Sequence, residues 1–235
     1  MNNRIWISII VYVILIPAVI AFGVFLFNDR KYNLISMLLA FLACVPFFVR
    51  FERKRVDVKE LVTLVVMIAI SVVSRLLFVV IPFFKPVTAV TIITGIAFGP
   101  QAGFITGAMT ALISNLHFGQ GPWTPFQMFA WGIIGFIAGL LFMKRKKINL
   151  VLLMIVGLIG GVVFSFLMDI YTTFSVDETF SLERYIFYLI TAAPMTISYA
   201  VSNVVFLFFL TNPMLDILKR IKDKYGVFNR ENRQE

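Results

Sequence analysis

The chain has 235 residues, of which 60% are hydrophobic and 14% charged, with a mean hydropathy of +0.94. Soluble domains carry about 45–50% apolar and about 25% charged residues, so a water-soluble globule is excluded. The formal net charge of +9 could indicate a nucleic-acid partner, but the placement of the basic residues argues against one, and the single Cys44 cannot form an intrachain disulfide.

A hydrocarbon core about 30 Å thick takes about 20 apolar residues per helix, so the length accommodates about six to eight spans and no soluble domain. Apolar runs bounded by charge, Pro or Gly fall at 5–27, 33–49, 61–83, 86–98, 102–116, 126–143, 149–172 and 186–211. The first follows Met1–Arg4 and looks superficially like a signal peptide. Its length exceeds a cleavable apolar region of about 7–15 residues, so it reads as a retained span. The fourth and fifth runs are short and could form one helix over 86–116.

Charge decides between one helix and two. Basic clusters occur at Arg50, Arg53, Lys54, Arg55 and Lys59, then at Lys144–Lys147, then at Lys219, Arg220, Lys222, Lys224, Arg230 and Arg233. The positive-inside rule places all three in the cytoplasm. That requires an even number of crossings between Lys59 and Lys144, and so a break at Gly99-Pro100, where proline interrupts a helix. With eight spans and both termini cytoplasmic, 16 of the 21 Lys and Arg lie inside. Arg30, Lys31, Lys85 and Arg184 lie outside, and Arg75 falls within a span. Such spreading over inner loops excludes nucleic acid as partner. The expected organisation is a two-helix membrane extension over 1–50, a basic cytoplasmic linker over 51–60, a six-helix bundle over 61–211 and a basic cytoplasmic tail over 212–235, which is expected to lie along the anionic inner leaflet.

Catalytic motifs are missing. The sequence has no G-x-x-x-x-G-K-[ST] phosphate loop, no H-E-x-x-H, no G-x-S-x-G elbow and a single histidine, His117. Among the carboxylates only Asp169 lies in a span. The expectation is a protein that is not an enzyme, with no metal and no catalytic cofactor. Small residues recur at spacing four (Gly95, Gly99, Gly103, Gly107, Ala111), with further pairs at Gly135/Gly139 and Gly157/Gly161. Such ridges let helix backbones approach closely, either inside the bundle or against another subunit. Ala69, Ser71 and Ser74 form a second small-residue surface. Asn203 is expected to bind helix to helix.

The stretch from Asn115 to Gln127 combines two glycines and two prolines with Phe118 and Trp123 and with the neutral polar groups of Asn115, His117, Gln120, Thr124 and Gln127. A mostly apolar surface with a few polar groups is the usual make-up of a small-molecule pocket, although an interfacial loop has the same composition. Arg75 lies about 12 Å below the outer end of its span, at a depth Asp169 could share, and a buried arginine in lipid finds a partner. The readings are an anion or amide contact with substrate, a structural pair, or snorkelling of the side chain.

Lys85-Pro86-Val87-Thr88-Ala89, Gly99–Phe104, Ser114-Asn115, Phe118–Gly132 with its Gly-Gln-Gly-Pro-Trp-Thr-Pro core, Ser202–Val205 and Leu218–Lys222 together resemble the substrate-binding S components of energy-coupling factor (ECF) transporters, over residues 60–225. The resemblance is closest to cobalamin-type members. It implies an all-α membrane protein, a six-helix S-component-like bundle after the two-helix extension, in the plasma membrane. It also implies capture of a vitamin, cobalamin or a corrinoid, at the outer face. Import would then proceed with a membrane coupling subunit and two cytoplasmic ATPases. On this reading the outer loops after Phe83, Leu116 and Thr173 close over substrate. Arg75, Asn115, His117, Gln120, Gln127 and Asp169 give polar contacts, and Phe118, Trp123 and Tyr171 give apolar ones. Ala69, Ser71 and Ser74 would meet the coupling subunit. The competing readings are a ligand-free membrane scaffold and an intramembrane enzyme.

Overall fold

The computed structural model describes residues 38, 41–49, 57–143, 145, 147–177 and 180–228. The expected first span lies outside these residues, as do most of the 51–60 linker and the chain end; of the second expected span, residue 38 and residues 41–49 are described, and they are helical. Seven further helices follow: α1 (Val58–Leu77), α2 (Val87–Phe98), α3 (Pro100–Phe118), α4 (Trp123–Phe142), α5 (Leu150–Asp177), α6 (Leu182–Thr191) and α7 (Ala193–Tyr225). Among the described residues there is no strand, and α1, α4, α5 and α7 are long and apolar enough to cross a membrane.

The break expected at Gly99-Pro100 is present. Gly99 adopts φ +103, open to glycine, and Pro100 takes the first position of α3, where its missing N–H costs nothing. Elsewhere the boundaries shift. α1 ends at Leu77 although the apolar run continues to 83, because Lys85 turns back and donates to the carbonyls of Phe78 and, at 2.8 Å, Ile81. The run at 186–211 divides at Ala192. The short α6 before it buries no residue, and α7 begins with Pro194 in its first turn, then continues past 211 to Tyr225.

The small-residue ridge is internal packing. A Cβ on Gly107 would lie 2.6 Å from the Trp131 backbone, and one on Gly139 would lie 2.6 Å from Pro100 Cα. The α2–α3 hairpin therefore lies directly on α4, with backbone where side chains would otherwise separate the helices. α5 and α7 meet the same way at Gly161, whose Cβ would be 2.6 Å from Ala200 N. One turn away Asn203 Nδ2 donates to Gly157 O at 2.9 Å, the helix-to-helix bond expected of it. Asn203→Leu is expected to cost about 1 kcal/mol or less, read as a lowered melting temperature in detergent. Parental melting would mean that packing alone holds the pair.

Two further contacts tie the ends together. Phe47 stacks on Phe104 at 3.8 Å and meets Phe136 edge-on, so the segment 41–49 rests on α3 and α4 with Cys44 buried. After α7, Phe228 donates its N–H to Glu60 at 2.8 Å and stacks on Phe98 at 4.6 Å.

Candidate functional site

The C-terminal ends of α1, α3 and α5 and the N-terminal ends of α4 and α7 meet at one end of the bundle. Arg75, in the last turn of α1, is its centre. The guanidinium donates from one Nη to Ser114 Oγ and, at 2.8 Å, to Asn115 Oδ1. Its carbon sits 4.3 Å from the Phe118 ring centroid and 5.0 Å from that of Trp131, a double cation–π placement.

Arginine offers only donors, so Asn115 must turn its oxygen to it and its nitrogen away. That Nδ2 donates to Thr124 Oγ1 and to Gln127 Oε1, both at 2.9 Å. Thr124 donates onward to Gln120 Oε1 at 3.0 Å, and Gln120 Nε2 closes on Leu112 O at 2.7 Å. Asn115 is 1% exposed and Thr124 is buried, so the inner part of this relay is enclosed while Gln120 stands at its exposed end. It fixes Arg75 while leaving its Nε and second Nη without an acceptor among the described residues.

The aromatic wall continues from Trp131, which stacks on Phe164 at 5.0 Å. Phe164 meets Tyr199 edge-on at 5.0 Å, and Tyr199 meets Phe83 of the loop after α1 at 5.6 Å. Lys85 anchors that loop, and Ser202 Oγ donates to its carbonyl at 2.9 Å. Burial, and secondly the Arg75 charge, lower the pKa of Lys85 below the ordinary lysine value.

The expected residues thus divide. Arg75, Asn115, Phe118, Gln120 and Gln127 form one connected cluster. Trp123 and Tyr171 belong to a neighbouring aromatic set, 6.3 Å between centroids, with Phe126 5.5 Å from Tyr171. His117 is exposed and stands outside the relay, its ring edge-on to Phe118. Asp169 is 7% exposed, and its Oδ2 has no hydrogen-bond partner among the described residues. Arg75 and Asp169 form no ion pair, because Arg75 is already held by α3. Of the small residues on α1, Ala69 is exposed and Ser74 half-buried, whereas Ser71 is 0% exposed and faces inward. The three do not share one outward surface. Ser114, Trp131, Phe164 and Tyr199 were not among the expected site residues. The latter three lie in apolar runs where an aromatic reads as core.

Among the described residues no group of three or more His, Cys, Asp and Glu could hold a metal ion. The arrangement has no nucleophile–base pair. It offers fixed donors, a lone buried acceptor and flat aromatic faces, the equipment of a binding site. Residues 55–220 match the family described as "ECF-type riboflavin transporter, S component". The match gives no support to the closeness to cobalamin-type members expected from the sequence. No solved structure matches the chain.

Proposed function

Because the chain belongs to the ECF-type riboflavin transporter S component family, we propose that it captures a flavin-class vitamin at the Arg75 end of its bundle. This end faces outward in the proposed orientation, since the Lys- and Arg-rich segments gather at the other. The observation that carries the substrate class is the guanidinium of Arg75, held between Phe118 and Trp131 with donors to spare. A flat heteroaromatic ring bearing carbonyl acceptors complements such a site by stacking and hydrogen bonding. Asp169 supplies the opposite chemistry, an acceptor for an imide N–H or a chain hydroxyl. A corrinoid reading has no comparable support from the family match.

The protein itself binds rather than reacts, and energy comes from a membrane coupling subunit and two ATPases. Ala69 and the exposed apolar residues of α1 form the face offered to that coupling subunit. The test is release of small molecules from protein purified in mild detergent after growth in rich medium. A flavin at near-stoichiometric amount supports the reading, and a corrinoid in its place contradicts it. Trp123→Ala is expected to weaken flavin binding about tenfold through the lost aromatic contact, with melting temperature retained. Unchanged affinity would remove Trp123 from the site.

A further inference from the structure

At the opposite end of the bundle a cleft of 420 Å³ opens between the end of α2, the α4–α5 connection and α7. Its polar lining is Arg145, Lys219, Lys222, Asn212 and Asp216, three cations against one carboxylate. None of these charges forms an ion pair among the described residues. Arg145 donates its Nε to Leu141 O at 3.0 Å and lies 5.6 Å from the Phe142 ring centroid, and among the described residues its two Nη groups have no hydrogen-bond acceptor. Asn149 Oδ1 accepts from the N–H groups of Val151 and Leu152 and so caps α5, which leaves side chains to supply the cleft's charge. The remaining wall is apolar, with Met143, Ile148 and Leu215 beside the cations.

The depth of this cleft is fixed by helix length. α7 has 33 residues, about 50 Å at 1.5 Å per residue, against a hydrocarbon core of about 30 Å. Its last turns, with Lys219 and Lys222, therefore emerge at headgroup level. Converging cations over an apolar wall at that depth match a molecule with a phosphate head and a hydrocarbon body.

We propose that this cleft is a specific site for the phosphate headgroup of one anionic phospholipid, with Arg145 on one wall and Lys219 and Lys222 on the other. The phosphate sits among the three cations, Asn212 donates to it, and the acyl chains leave along Met143 and Leu215. Asp216 keeps the site from over-accumulating positive charge. The site is independent of the flavin reading, which concerns the other end of the molecule.

Native mass spectrometry of the full chain, purified in a neutral detergent and titrated with phosphatidylglycerol, phosphatidylcholine or inorganic phosphate, tests the proposal. One phosphatidylglycerol is expected to bind saturably per chain, at least tenfold more tightly than phosphatidylcholine. Each basic group near an anionic headgroup contributes about 1 kcal/mol, so Lys219→Gln with Lys222→Gln weakens that adduct about thirtyfold. Lys224→Gln, on the same helix but outside the cleft, leaves it unchanged. Arg145→Gln on the facing wall repeats the test should the double variant fail to fold. Equal binding of phosphatidylcholine, or full retention by the cleft variants, overturns the site. An equal loss in Lys224→Gln shows diffuse charge and overturns it too. Displacement by equimolar inorganic phosphate identifies a soluble ligand and overturns the lipid assignment.

Discussion

Replacing Arg75 with methionine is expected to reduce flavin affinity about a hundredfold or more. A hydrogen bond to a charged group contributes about 1.5–3 kcal/mol, so losing the donors that the flavin carbonyls accept from approaches 3 kcal/mol. Methionine keeps the length and apolar stem, so the aromatic rings retain a neighbour while the donors vanish. Arg75→Lys keeps the charge and loses the planar fork, and is expected to fall between the two. The variant also strands Asn115 Oδ1, which is 2.8 Å from the guanidinium, so melting temperature is measured alongside. Parental flavin affinity in Arg75→Met would reduce Arg75 to a structural group.

The second large effect concerns the helix contact that places the relay. A Cβ on Gly103 would lie 2.7 Å from Gly135 C and 2.8 Å from Gly95 Cα, backbone atoms that no rotamer change can move. Gly103→Val must push α3 away from both α2 and α4, at a cost of about 3 kcal/mol or more. Asn115 on α3 then loses its register with Thr124 and Gln127 on α4, so flavin binding falls with stability. Leu140→Val, on an exposed face of α4, is the matched control and should melt with the parent. Equal melting of the Gly103 and Leu140 variants would show that the hairpin tolerates separation.

Much of this fold is legible in the sequence because a bilayer leaves few options. Hydropathy and the Lys/Arg clusters locate the helices of the 61–211 bundle, and the requirement for an even number of crossings finds the turn at Gly99-Pro100. The misjudged boundaries have local causes. The apolar run after Leu77 reads as helix until Lys85 is seen satisfying the free carbonyls. The break at Ala192 is marked only by Pro194 in an otherwise unbroken run. The candidate site is legible where polar groups interrupt apolar surroundings, as at Arg75, Asn115, Gln120 and Gln127. It is illegible at Trp131, Phe164 and Tyr199, because a ring that lines a site and a ring that fills a core have the same sequence pattern. The pairing of Arg75 with Asp169 fails for a related reason. Depth along a helix is readable from spacing, whereas azimuth is set by packing, and packing turns Arg75 toward Ser114 and Asn115.

The most direct test of the central claim is an equilibrium titration of purified, ligand-free protein with riboflavin, followed by flavin fluorescence, with cyanocobalamin as competitor. The account predicts saturable quenching at one flavin per chain, no displacement by cyanocobalamin, and loss of the signal in Arg75→Met. Absence of quenching, or displacement of flavin by cyanocobalamin, would contradict it.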